Sequence, residues 1–332
     1  MPGSTSSGSG YDPSSPVSPS SVAAEVERLL SAAISVNSQS TYASGWRAFN
    51  RFRQQSLSSP LHVPASVDEI CQFVAWLSLK GMSPSTISTY MSSVSYVHKL
   101  SGWDDPTKEF VVSKLVEGAR RLRPGNDARL PISLPLLQIL ISALPIVCSS
   151  QFEAVLFKAV FLSAYFGFMR VSEFAVLSKS PPFDAVLSFQ DVTFSQSINS
   201  SQSGSVVIQL RKSKNNQRGL PQSIRLVQSQ GNPLCPVSAL LLFSSVRPRI
   251  AGPFFCHFDG SPLTQYQFHA VLRKVLVHLG LEGTRITSHS FRIGAASSAS
   301  HLGVALDDVQ SLGRWRSNAF LSYIRPLPFL PH

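Results

Sequence analysis

Three β-rich runs, residues 186–194, 206–210 and 223–227, interrupt a chain whose remaining periodicity is helical. The polar stretches SQSINSSQSGS and RKSKNNQRGLPQ join them. Short β-rich runs with turn-rich links predict a small three-stranded antiparallel sheet. The fold class expected is therefore mainly α with one small antiparallel sheet.

The helical part before the sheet reads as two regions. In TYASGWRAFNRF, Tyr42, Trp46, Phe49 and Phe52 recur on one helical face, and Arg47, Arg51 and Arg53 share that helix. Ser66 with Glu69 three residues on reads as a capping box, and Gly81 as the stop of that helix. Ser83 and Pro84 open a further helix with Ile87, Met91 and Val94 on its buried stripe, and a fourth runs over residues 107–121. RPGNDARLP, residues 123–131, carries the Pro and Gly of a boundary. We expect a Ser/Gly/Pro-rich disordered tail over residues 1–20, a helical domain over 21–123, a linker over 124–131 and a second domain over 132–332. In the latter, helices are expected over 133–144, 152–177, 236–243, 265–279, 291–301 and 306–312.

Charge separates the two parts. The chain has 332 residues and a net charge of +11. Residues 1–128 hold 11 basic and 10 acidic side chains, and residues 129–332 hold 18 and 8. An excess confined to the second part points to a polyanionic partner, nucleic acid ahead of an anionic membrane. The four cysteines are too far apart in sequence for a CxxC-type metal site and read as buried thiols. No basic segment followed by an apolar core opens the chain, and its apolar runs are broken early. An intracellular protein with no membrane association is expected, nuclear if the organism is eukaryotic.

Five segments of the second part carry polar groups suited to chemistry. GFMRVSE supplies Arg170, with Glu173 three residues on. RKSKNNQRG puts Lys212 and Lys214 at a hairpin tip. SHSFRIGAAS starts a helix with His289 and Arg292 on one face, GRWRSNA holds Arg314 and Trp315, and LSYIRP holds Tyr323. Singly, each has an ordinary structural reading: a surface ion pair, a solvated hairpin, a core tyrosine. Together they meet the needs of phosphodiester cleavage without a metal. Two arginines grip the non-bridging oxygens, a lysine protonates the leaving oxygen, a histidine handles a proton and a tyrosine attacks.

The order Arg170, Lys214, His289-Ser-Phe-Arg292, Gly313-Arg-Trp315, Tyr323 resembles the tyrosine recombinase (phage-integrase-like) family over about residues 40–326. The wording is similar to recombinases of eukaryotic crypton and DIRS-type mobile elements. The resemblance implies a helical, SAM-like core-binding domain followed by an α+β catalytic domain. It also implies a site-specific recombinase or integrase acting through a 3′-phosphotyrosine, with no cofactor and no metal. Its partners would be double-stranded DNA and further copies of itself on paired sites. It assigns Tyr323 as nucleophile, Arg170 and Arg292 to the phosphate, Lys214 as general acid and His289 as base or phosphate ligand, with Glu173 in support. Arg47, Arg51, Arg53 and Lys212 are the expected further DNA contacts. The family has His or Trp nine residues before the nucleophile. Here that place holds Arg314, with Trp315 next to it; Trp315 is the preferred donor to the phosphate and Arg314 an additional phosphate contact. A type IB topoisomerase, and a domesticated DNA-binding protein that has lost activity, are the alternatives. The helical first domain favours a recombinase over the former. The complete Arg, Lys, His, Arg, Tyr set speaks against the latter.

Overall fold

The computed structural model describes residues 18–57, 64–125, 127–195, 204–211 and 222–327. Lys212 and Lys214 lie outside them, as do residues 1–17 of the expected tail. The chain divides into two compact units, Met1–Asp127 and Ala128–His332.

The first unit is helical: α1 (Pro19–Ala32), α2 (Val36–Phe52), α3 (Val67–Leu79), α4 (Pro84–Leu100) and α5 (Phe110–Leu122). Helix α1 starts within the expected tail and buries none of its residues. The Ser66–Glu69 capping box opens α3 as expected. The aromatic stripe of α2 turns inward, Phe49 and Phe52 packing with Phe73, Ile87, Met91 and Val94. Helices α2 and α4 approach closely at Gly45, where a β-carbon would overlap Ser93. After Phe52 the helix widens into a π-turn over Arg53–Leu57. Arg53, expected among the DNA contacts, is instead 1% exposed, pairs with Glu69 at 3.0 Å and lies over the Phe49 ring. Its side chain is part of the first unit's core. Arg47 and Arg51 are exposed.

The second unit holds α6 (Leu134–Val147), α7 (Gln151–Phe166), α8 (Val171–Phe174), α9 (Pro236–Val246), α10 (Gln265–His278), α11 (Ser288–His301) and α12 (Leu306–Leu312). A 3-10 turn, Asn318–Tyr323, follows α12. Its sheet is β1 (Val192–Ser195), β2 (Ser205–Leu210) and β3 (Gln222–Val227), antiparallel in that order, with Val192 opposite Ile208 and Ile208 opposite Ile224. The first strand is shorter than the β-rich run predicts. Residues Phe189–Asp191 form a 3-10 turn instead, its Asp191 carboxylate accepting the Ser188 N–H at 2.9 Å and Arg211 Nε–H at 2.5 Å. The core gathers around α7, with Phe161 meeting Phe157 and Phe268 edge-on and Phe291 in a tilted ring contact. Residues read as the end of the linker are pinned within this unit. Leu130 N–H donates to Arg285 O at 3.2 Å, and Arg325 Nη1 donates to Arg129 O at 2.6 Å. Cys235 and Cys256 are buried and Cys71 and Cys148 half-buried. Among the described residues no helix is long and apolar enough to cross a membrane.

Candidate active site

Two helix ends build the site. The helix expected over 152–177 stops at Phe166, because Gly167 and Phe168 turn the chain out of it. Phe168 N–H bonds Tyr165 O and Met169 N–H bonds Ala164 O, with Phe168 at φ +47°. This is a Schellman ending, whose left-handed position is usually glycine. Helix α12 ends the same way: Arg314 N–H bonds Ser311 O, Trp315 N–H bonds Gln310 O, and Arg314 sits at φ +58°. A left-handed residue with a β-carbon costs about 1 kcal/mol relative to glycine. Gly313, just before, has to be glycine because a β-carbon there would overlap the Trp315 ring.

The first turn delivers Arg170 and the short α8. Glu173, 2% exposed, accepts Arg170 N–H at 2.9 Å and Arg170 Nη1 at 2.8 Å. Its second oxygen also accepts Arg314 Nη2 at 2.8 Å. A buried carboxylate is tolerated here because both oxygens carry charged donors.

Arg292 comes from α11, a helix held tightly in place. Ile132 N–H donates to Ser290 O at 3.1 Å, and a β-carbon on Gly294 would overlap the Ile132 carbonyl. Arg292 is 1% exposed and donates to Phe168 O and, at 3.0 Å, to Gly313 O. Burial, and then the Arg170 charge, lower its pKa, while Glu173 opposes them. Burial also lowers that of Arg314, again against Glu173. Three guanidinium groups thus surround one carboxylate, an imbalance that an anion would relieve.

Tyr323 ends the 3-10 turn, fixed from behind by Ser297 of α11, which donates to Tyr323 O at 3.0 Å and accepts Arg325 N–H at 2.9 Å. Its ring lies 5.0 Å from Trp315 and 6.4 Å from His289, centroid to centroid, and 5.9 Å from the Arg292 guanidinium carbon. Arg170, His289, Arg292, Trp315 and Tyr323 line one cleft of about 620 Å³. Glu173 stands behind it. Arg314 departs from the expected phosphate contact, for its side chain is 7% exposed and turned to Glu173 and to the Gly167 and Phe168 carbonyls. Arg47, Arg51 and Arg53 belong to the other unit. Ser288, Arg316 and Ser317 also line the cleft and were not singled out from sequence. The signal for Arg316 was present in GRWRS, where two arginines flank a tryptophan.

This cleft can bind an anionic tetrahedral group between guanidinium groups and present it to a tyrosine hydroxyl with an imidazole nearby. Among the described residues no three His, Cys, Asp or Glu side chains gather as a metal site.

No protein-family model and no curated protein sequence matches the chain. Solved structures do. A lambda integrase dimer bound to a COC' core site is 16% identical, with a TM-score of 0.59, covering 91% of this chain and 93% of that one. XerH site-specific recombinase bound to palindromic difH substrate, a post-cleavage complex, is 16% identical with a TM-score of 0.58, covering 86% and 75%. The Tn1549 transposon integrase in complex with transposon right end DNA is 13% identical with a TM-score of 0.58, covering 88% and 90%.

Proposed function

We propose that the protein is a tyrosine recombinase that cuts and rejoins double-stranded DNA through Tyr323, acting as a homo-multimer on paired sites. Its fold, a helical unit followed by a mainly helical unit with a three-stranded antiparallel sheet, matches integrase core-binding and catalytic domains. The observation that carries this reading is the joint lining of one cleft by Arg170, His289, Arg292, Trp315 and Tyr323. The positive charge of the second part and the DNA in the similar solved structures support it.

In this reading a scissile phosphate sits between Arg170 and Arg292, which neutralise its non-bridging oxygens and stabilise the crowded transition state. The Tyr323 hydroxyl oxygen attacks phosphorus and passes its proton to His289. The bond to the 5′-oxygen breaks, and Lys214 protonates that oxygen. A 3′-phosphotyrosine and a free 5′-hydroxyl result. The 5′-hydroxyl of a second strand reverses the step, so the bond energy is conserved and no nucleotide is consumed.

Trapping tests this. Full-length protein incubated with a pool of nicked random-sequence duplexes is expected to form a denaturant-resistant adduct. The adduct should be absent in Tyr323→Phe, which should keep its DNA affinity, and reduced at least ~10²-fold in Arg170→Ala and Arg292→Ala. Adducts persisting in Tyr323→Phe would assign the nucleophile elsewhere. DNA binding with no adduct from the unaltered protein would leave an inactive DNA-binding member of the same fold.

A further inference from the structure

Arg314 stands nine residues before Tyr323, where the family resemblance puts a donor to the phosphate, yet its side chain is directed away from the cleft. We propose that Arg314 is a positioning residue: it ties the turn that ends α12 to the turn that ends α7, so that Tyr323 and Arg170 are set as one unit, and phosphate contact passes to the neighbouring Trp315 and Arg316. This rests on the recombinase reading for its catalytic consequence, though not for the tie itself.

Three observations carry it. The guanidinium spends its donors inward, Nη1 on Gly167 O at 2.9 Å and Nη2 on Phe168 O at 3.0 Å and Glu173 Oε2 at 2.8 Å. A planar fork can satisfy two carbonyls and a carboxylate together, which a lysine ammonium on a flexible stem cannot match in geometry. Second, the link is reciprocal. Arg314, at the end of α12, donates to the end of α7, while Arg292 bridges Phe168 O and Gly313 O, one carbonyl from each turn. Third, Arg314 occupies the left-handed position that a helix ending ordinarily gives to glycine. A backbone outlier kept at that place needs a compensating side chain, and the three inward bonds supply it. Glu173 is the common node, since it also fixes Arg170. Displacing Arg314 therefore loosens both the attacking tyrosine and the first phosphate grip. Arg316, two residues on, is exposed and lines the cleft, and so does Trp315.

The test uses full-length Arg314→Gly and Arg314→Lys. Glycine adopts the left-handed turn without strain, so the first variant removes the guanidinium alone. At saturating nicked duplex pool, adduct formation by Arg314→Gly is expected to slow by about tenfold or more. Its dissociation constant for that pool should stay within about twofold, unlike a lost phosphate contact. Amide hydrogen exchange without DNA should accelerate in residues 167–174 as well as in 313–323. Arg314→Lys should fall between the two proteins in both readouts, and it replaces Arg314→Gly in the comparison if the glycine variant does not fold. A loss of rate matched by a loss of affinity would make Arg314 a phosphate ligand and overturn the proposal. Faster exchange confined to 313–323 would overturn the tie. If the unaltered protein forms no adduct, the recombinase reading fails, while exchange in the 167–174 segment still decides whether Arg314 holds the two turns together.

Discussion

The guanidinium carbon of Arg292 lies 4.6 Å from the centre of the Trp315 indole ring, and Tyr323 packs on the same indole at 5.0 Å. Trp315 is held in turn by the edge of Phe168 at 6.1 Å and sits over Gly313. A cation on an aromatic face in a buried setting contributes about 2 kcal/mol, so the indole fixes the second arginine as well as the tyrosine.

Trp315 offers both a ring face and an indole N–H, and two substitutions separate them. Trp315→Phe keeps a stacking face and loses the N–H; it is expected to slow adduct formation by about tenfold or less. Trp315→Ala also releases Arg292 and Tyr323, with an expected loss of at least about 30-fold. Single-turnover adduct formation measures both. Equal losses would show that the N–H matters and the stack does not.

The link between α7 and α11 has a signature in alkaline stability. Tyr165 donates to Ser298 Oγ at 2.7 Å, and burial pushes its pKa up to about 12. Below pH ~10 the phenol is protonated whether the chain is folded or not. As pH rises from about 10 towards 12, the unfolded chain releases the proton and the native one holds it. Stability is therefore lost across that window. Tyr165→Phe removes this contribution, and its stability should fall less steeply there, by up to about 2–3 kcal/mol. Urea unfolding at pH 9 to 12 reads the difference. Parallel pH profiles would show that Tyr165 ionises in the native protein.

Much of the site could be read from sequence because its side chains sit on regular structure. His289 and Arg292 share a helix face, and Glu173 lies one turn from Arg170, so spacing alone brings them together. What escaped depends on backbone that has no periodic signature. Gly167 lies in an unbroken apolar run, and nothing in Phe168 marks a left-handed helix ending. The same geometry at Arg314 decides that its guanidinium points inward, whereas GRWRS in sequence suggests only cations. The β-rich run overstates the first strand for a related reason, since Val186, Leu187 and Phe189 are apolar yet precede and enter a 3-10 turn.

Arg53 gives a further test in the first unit. At about 100° per residue it falls about 40° from Phe49 and about 160° from Arg51, on the inward face of α2 and apart from the other two arginines. The π-turn that follows Phe52 keeps it there, against Glu69 and over the Phe49 ring. Removing one partner of a buried ion pair strands the other charge. Glu69 is 19% exposed and can still reach water, so Arg53→Ala should cost about 3 kcal/mol, the low end for such pairs. Arg47→Ala and Arg51→Ala, on the exposed side of α2, should change stability by less than about 0.5 kcal/mol. If α2 touches DNA, each should instead reduce the slope of log affinity against log salt by about 0.9, one phosphate's worth of released counterion. Denaturant unfolding and duplex titrations at several salt concentrations measure the two effects separately. Unchanged stability in Arg53→Ala, together with a shallower salt slope, would return Arg53 to the surface as a DNA contact.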